Sequence, residues 1–132
     1  EEELKDKAEP NIEFLGYTPE DELKKLYSEC EALIFPQLED FGIIALEAMA
    51  SGRPVIAYRE GGALESVAEN KTGIFFDKQD AVHLKGAVEK FIKTKNSFDS
   101  EEIKEHASQF DEEEFERKLS KYLQAKWEVW TT

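Results

Sequence analysis

The chain has 132 residues and a formal net charge of −13, and 40% of its residues are hydrophobic. This length allows one domain with one sizeable core, while the negative charge argues against non-specific binding to nucleic acid, whose phosphates require a positively charged surface. The longest stretch without charge, residues 32–38, is much shorter than the roughly 18 residues of a membrane-spanning helix, so no membrane span is expected.

The N-terminal residues and the single cysteine indicate the cellular compartment that we expect for the protein. Glu1, Glu2 and Glu3 do not resemble a signal peptide. Cys30 cannot form an internal disulfide, and it lies at an apolar position of a helical pattern. We therefore expect a reducing, cytoplasmic setting.

The first third of the chain predicts helix, strand, helix and strand in turn. Residues 1–8 are typical of a polar helix, and the alternating residues 12–15 predict a strand. Thr18 and Pro19 predict the N-cap and first position of a helix that ends near Cys30. The apolar run 32–35 predicts a strand buried on both faces.

The same alternation continues through the rest of the chain. Residues 41–51 have helical spacing with Gly52 as the C′ glycine, and strands are predicted over residues 55–58 and 74–76, separated by a helix over residues 63–69. We expect residues 93–100 to form a flexible loop. The predicted N-caps of the last three helices are Asp80, Ser100 and Asp111.

Helices between short apolar strands predict an α/β fold with a Rossmann-like, doubly wound parallel sheet of about four strands and additional C-terminal helices. Residues 1–132 would form a single, partial domain, whose acidic C-terminal helices occupy residues 100–132. Residues 99–116 hold nine acidic residues and one lysine, so we expect a solvated surface there and any anionic ligand at the other end of the domain.

The residues with the clearest chemical pattern lie between positions 35 and 65. Glu39 should follow the second strand in a loop, and Glu47 should lie in the helix that Phe41, Gly42 and Ile43 begin. In an open parallel sheet, ligands bind beyond the carboxyl ends of the strands, where a helix N-terminus offers unpaired amides to a phosphate. A nearby carboxylate can accept hydrogen bonds from sugar hydroxyls. The combination indicates a sugar joined to a pyrophosphate.

Residues 39–57, with the sequence EDFGIIALEAMASGRPVIA, resemble the E-x₇-E region of the large family of retaining glycosyltransferases with two Rossmann domains, called GT-B and here of the family 4 type. Gly61 and Gly62, with residues 63–65, resemble the glycine-rich turn found after that region in the same family. The likeness extends over residues 11–91. It indicates a C-terminal donor-binding domain and is greatest to the mannosyltransferase branch.

The resemblance implies specific roles. Glu39 would be the catalytic residue, because it would hold hydroxyls of the donor sugar and favour positive charge at the anomeric carbon. Glu47 would accept hydrogen bonds from the ribose. The donor would be a nucleotide sugar, such as GDP-mannose, whose hexose is transferred with retention and without a cofactor or metal ion. The donor-binding residues would be Asp40, Phe41, Gly42, Ile43, Glu47, Gly61 and Gly62.

The residue patterns required for several other functions are absent from the sequence. The sequence has no spacing typical of a zinc or calcium site, no Asp-x-Asp and no phosphate-binding loop of the G-x-G-x-x-G or Walker type. Pro36 and Tyr58 occupy positions where a receiver domain would need its phosphoacceptor acid and its lysine. His83 and His106 are expected to lie on the surface.

The family's first two strands and its basic, pyrophosphate-binding loop have no counterpart here, so the resemblance implies an N-terminally truncated domain that transfers no sugar alone. We expect residues 12–15 to pair directly with the strand at residues 33–35, or a second polypeptide to complete the sheet. That polypeptide would be the missing N-terminal part or a second copy. The alternative function is a non-catalytic α/β fragment or assembly module.

Overall fold

The structure is a computed structural model that describes residues 2–131. Its three strands, β1 (Leu33–Phe35), β2 (Val55–Tyr58) and β3 (Gly73–Phe76), form one parallel sheet in the order β1-β2-β3. Ile34 lies opposite Ile56, which lies opposite Ile74. The predicted α/β class is confirmed.

Helices alternate with these strands, as the periodicity predicts. The helix after Gly62 is shorter than predicted, because it ends at Ser66 and Val67 is already extended. The helices are α1 (Glu2–Lys5), α2 (Glu20–Glu29), α3 (Ile43–Ala50), α4 (Ala63–Ser66), α5 (Ala81–Thr94), α6 (Ser100–Ser108) and α7 (Glu112–Thr131), with a 3₁₀ turn at Lys95–Ser97.

Both faces of the sheet are covered, as in a doubly wound fold. Successive strand residues face opposite sides, so Val55 and Ala57 of β2 enter one core and Ile56 enters the other. Residues of α2, α3 and α6 close the first core, whereas α5 closes the second. The carboxyl ends of all three strands therefore meet at one edge of the domain.

The expected first strand is absent, and the prediction of about four strands is wrong. Residues 12–15 are irregular and β1 pairs only with β2, so the expected direct pairing does not form either. Ile12 is 52% exposed, and Ile34 of β1 is 47% exposed. Without a neighbouring strand to pair its amides and carbonyls, the segment at residues 12–15 stays irregular, and within residues 2–131 the outer edge of β1 is unpaired.

Two of the predicted helix caps are wrong and two are confirmed. Asp99 caps α6 in place of Ser100, since its carboxylate accepts two first-turn amides at 2.9 Å each. Thr18 does not cap α2, whose N-cap position is taken by the following proline. Asp80 and Asp111 each accept the amide three residues ahead at 2.8 Å, as predicted.

The predicted loop at residues 93–100 and the predicted surface position of His106 are also wrong. Helix α5 continues to Thr94 and leads into the 3₁₀ turn, after which Phe98 packs on Phe91 with ring centroids 5.9 Å apart. His106 is half-buried, and its Nε2 donates to the Ser66 carbonyl at 2.8 Å. His83 is partly exposed, with its Nδ1 2.7 Å from a carboxylate oxygen of Asp80.

Gly52 makes the contact between α3 and α6 possible. Its φ is +76°, and an added Cβ would lie 2.1 Å from Ser100 Oγ. We expect Gly52→Ala to lower the free energy of unfolding by about 2 kcal/mol or more, because the left-handed conformation alone costs alanine roughly 1–2 kcal/mol. Urea denaturation measures the change.

Gly86 provides the matched control. It lies inside α5, and an added Cβ would have nothing within 4 Å. Gly86→Ala should therefore raise the free energy of unfolding by about 0.5–1 kcal/mol, since glycine is the weaker helix former. Similar losses in both variants would contradict the close packing assigned to Gly52.

Candidate functional site

A depression of about 450 Å³ lies at the start of α3, beyond the carboxyl end of β1. Five of the predicted site residues line it together. We call it the loop depression, and its lining consists of Leu38, Glu39, Asp40, Phe41, Gly42, Ile43 and Ile44.

Gly42 gives this depression its main-chain shape. It occupies the N-cap position of α3 with φ +76° and ψ +55°, a left-handed conformation that favours glycine. An added Cβ would also lie 3.1 Å from the buried ring of Phe35. No side chain caps α3, and the Ala45 amide already donates to the Gly42 carbonyl at 3.0 Å, so the amides of Ile43 and Ile44 are the ones available to a ligand.

The turn at Gly61 and Gly62 packs directly against the loop that carries Glu39. The Gly62 amide donates to the Glu39 carbonyl at 2.8 Å. An added Cβ would lie 2.5 Å from the Glu39 carbonyl oxygen at Gly61 and 2.4 Å from the Asp40 carbonyl oxygen at Gly62. The structure thus brings the glycine turn against residues 38–41.

The side chain of Glu39 is exposed and has one neighbour that the sequence analysis missed. Gln37 Nε2 donates to Glu39 Oε1 at 3.2 Å. Gln37 lies in the same loop, two positions before Glu39, and its proximity in sequence is the only signal that could have identified it. This bond leaves Glu39 Oε2 open to a ligand.

Glu47 lies elsewhere. It borders a second depression of about 440 Å³ between α2 and α3, so the two glutamates line different depressions. Tyr27 donates its hydroxyl to Glu47 Oε2 at 3.2 Å. We call this the helix depression, and its lining consists of Glu20, Leu23, Lys24, Tyr27, Glu47, Ala50 and Ser51.

The hydroxyl of Tyr27 stays protonated at any physiological pH. Burial and the negative charge of Glu47 both disfavour the phenolate and raise the pKa of Tyr27 to about 12. Helical periodicity places Tyr27 on the apolar face of α2 and carries no information about its hydroxyl group. Tyr27 is therefore a hydrogen-bond donor beside Glu47.

Neither a metal site nor a membrane-spanning helix is found in the part of the chain that the structure describes. Among residues 2–131, no three His, Cys, Asp or Glu side chains are arranged to hold a metal ion. Within the same residues, no helix is both long enough and apolar enough to cross a membrane.

Comparison with known protein families identifies the family of this chain. A family profile described as "Glycosyl transferases group 1" matches residues 1–123. The chain belongs to this family. Membership fits the placement of residues 39–43 and the glycine turn at one edge of a parallel sheet.

Two curated relatives within glycosyl transferases group 1 illustrate the similarity. The chain is 43% identical to the D-inositol 3-phosphate glycosyltransferase of Corynebacterium urealyticum over 70 residues, which are 52% of this chain and 16% of that protein. It is 46% identical to the alpha-1,3/1,6-mannosyltransferase ALG2 of Dictyostelium discoideum over 77 residues, 54% of this chain and 18% of that protein. The matched region thus spans less than a fifth of either relative.

A solved structure confirms the GT-B, Rossmann-like fold. The Anabaena protein HepE, whose crystal structure contains UDP and glucose, superposes with a TM-score of 0.73 at 26% identity. The match covers 88% of this chain and 32% of HepE. The chain therefore corresponds to about a third of that protein.

We predict that the contact between the glycine turn and the Glu39 loop can be measured with two matched variants. Gly61 and Gly16 have φ +67° and +66°, but only Gly61 has neighbours where a Cβ would lie. Gly61→Ala should lower the free energy of unfolding by at least about 1 kcal/mol more than Gly16→Ala, since both are strained but only one overlaps its neighbours.

Amide hydrogen exchange supplies a local measurement for the same pair. Gly61→Ala should speed exchange at the Gly62 amide, whose partner is the Glu39 carbonyl, and Gly16→Ala should leave that rate unchanged. Equal stabilities and unchanged exchange in both variants would show that the turn does not hold the loop.

Proposed function

We propose that this chain is the donor-binding part of a glycosyltransferase that transfers a hexose from a nucleotide sugar with retention. One observation carries the proposal: the uncapped N-terminus of α3, Glu39 and the turn at Gly61 and Gly62 adjoin one another at the carboxyl edge of the sheet. That edge is where open α/β sheets bind their ligands.

Glu39 would act on the sugar. Its exposed carboxylate borders the loop depression, where it would accept hydrogen bonds from donor hydroxyls. As the bond to the leaving nucleotide breaks, the anomeric carbon becomes positively charged, and the negative charge of Glu39 would stabilise that state more than the ground state. Glu39 is therefore the residue that we assign to catalysis.

The pyrophosphate would lie on the amides at Gly42 and Ile43. Glu39 and Asp40 are both acidic, and no lysine or arginine lines the loop depression within the described residues. The helix N-terminus alone offers only a partial positive charge to a group with at least two negative charges. We propose that the missing N-terminal part of the enzyme supplies the basic residues.

The same missing part, or a second copy of the chain, would complete the sheet. Ile34 is exposed on β1, whose outer edge is unpaired within residues 2–131, and Ile12, Phe14 and Leu15 are exposed as well. Unpaired apolar edges tend to recruit another strand. Without that partner the chain should bind part of a donor but transfer no sugar.

Glu47 would accept hydrogen bonds from the ribose of the nucleotide, in the helix depression. We propose GDP-mannose as the donor, because ALG2 is among the similar proteins and the sequence pattern resembles mannosyltransferases. HepE was crystallised with UDP, so UDP-hexoses are the alternative donors to test. The lone Cys30 supports a cytoplasmic location.

A thermal-shift scan of nucleotide sugars tests donor binding. The sample should be the longest available polypeptide that contains this sequence, with GDP-mannose, UDP-glucose and the free nucleotides as ligands. A donor that binds the folded state should stabilise it by about 2.7 kcal/mol at 100 times its Kd. If no nucleotide or nucleotide sugar raises the midpoint, the non-catalytic alternative is favoured.

Glu39→Gln tests the catalytic assignment in a polypeptide that has transferase activity. We expect kcat to fall on the order of 10²-fold with a small change in KM, because the lost charge acts mainly in the transition state. Glu89→Gln on the exposed surface of α5 removes the same charge far from the site and should leave both constants unchanged. Small and equal effects on kcat and KM in Glu39→Gln would refute the role.

A further inference from the structure

Tyr27 has a buried ring and a partly buried hydroxyl group. The residue is 8% exposed, and its ring belongs to the core that also contains Met49 and Ile103. Its hydroxyl reaches the helix depression, where Glu47 Oε2 accepts its hydrogen at 3.2 Å. The side chain thus links the core to Glu47.

The hydroxyl serves no purpose in packing. A phenylalanine would fill the same space without a polar group that needs a partner, and a buried hydroxyl is destabilising unless it is hydrogen-bonded. At Tyr27 the hydroxyl has Glu47 as its acceptor. The presence of tyrosine therefore indicates a role that involves this carboxylate.

Glu47 depends on this bond for its orientation. It projects from α3 on an exposed part of the helix, and within residues 2–131 no lysine or arginine forms an ion pair with it. A free glutamate on a helix surface samples several rotamers. The bond from Tyr27 occupies one lone pair of Oε2 and leaves Oε1 to accept hydrogen bonds from a ligand in the helix depression.

We propose that Tyr27 is a positioning residue that orients the Glu47 carboxylate toward the two ribose hydroxyls of the bound nucleotide. This inference rests on the proposed function, in which Glu47 accepts hydrogen bonds from the ribose. Tyr27 itself touches no reacting atom. Because the ribose is remote from the anomeric carbon, the contribution of Tyr27 falls on nucleotide binding and not on the chemical step.

Tyr27→Phe tests the inference, since it keeps the buried ring and removes only the hydroxyl. Isothermal titration should compare UDP with 2′-deoxy-UDP, and GDP with 2′-deoxy-GDP, on the longest available polypeptide that contains this sequence. For the nucleotide that binds, the ratio of the Kd of the deoxy form to the Kd of the ribose form should fall about three- to tenfold. A loss of this size is expected when one hydrogen bond that orients a charged acceptor is removed. The Kd of the deoxy form should hardly change.

Two further variants separate positioning from other effects. Tyr58→Phe removes an exposed bond of the same kind, from the Tyr58 hydroxyl to Glu60 Oε2 at 2.7 Å, and should keep the ribose preference, since Tyr58 packs against the core on the opposite face. Glu47→Ala should abolish the preference, and adding Tyr27→Phe to it should cause no further loss, because Tyr27 acts through Glu47.

The titration results distinguish failure of the proposed function from failure of this inference. A wild-type chain that binds none of the four nucleotides overturns the proposed function and this inference with it. A wild type that prefers the ribose form while Tyr27→Phe keeps the full preference overturns the inference alone. Equal weakening of the ribose and deoxy forms in Tyr27→Phe, with a lowered melting temperature, assigns Tyr27 to stability and also overturns it.

Discussion

The candidate site depends on one main-chain contact, between the turn at Gly61 and Gly62 and the loop at residues 39–41. The Gly62 amide bonds to the Glu39 carbonyl, and neither glycine leaves room for a Cβ. A side chain at Gly61 or Gly62 would push the turn and the loop apart by about the width of a methyl group. The contact joins the segment after β1 to the segment after β2, so it sets the position of Glu39 relative to the carboxyl edge of the sheet.

Electrostatics limits how a phosphate could bind at this edge. The chain carries a net charge of −13, and two acidic residues border the loop depression itself. A site made for phosphate alone would avoid these carboxylates, whereas a site for a sugar phosphate can use them as acceptors for hydroxyl groups. Under the proposed function, the main chain of α3 would attract the anion weakly, and the carboxylates would favour ligands that carry hydroxyls. Full affinity for a pyrophosphate would then require cations from outside the described residues.

Local patterns predicted most of the elements, and contacts distant in sequence account for the errors. Strands β1, β2 and β3 are short apolar runs bounded by turn residues, which periodicity identifies directly. The strand expected at residues 12–15 has an alternating pattern but pairs with no strand among the described residues, because that pattern does not determine which strand lies beside it in space. The positions of His106 and of the Tyr27 hydroxyl depend on packing between helices, and no spacing rule contains that information. Residues 39–43 and the glycine turn could be predicted to form one site because their order along the chain resembles a family pattern, and their roles stay a prediction.

Helix α3 connects the two depressions and fixes how far apart their carboxylates lie. Ala45, Ala48 and Met49 are completely buried, so the axis of the helix is held against the sheet by close packing. Glu39 precedes the helix in a loop fixed by main-chain contacts, while Glu47 projects from the helix and is oriented by a side chain of α2. The two glutamates are thus held by independent means, one in the loop before α3 and the other on α3 itself. Under the proposed function, weakening either support should change contacts at one end of an extended ligand while the other end is preserved, since sugar and nucleotide would be bound in separate places.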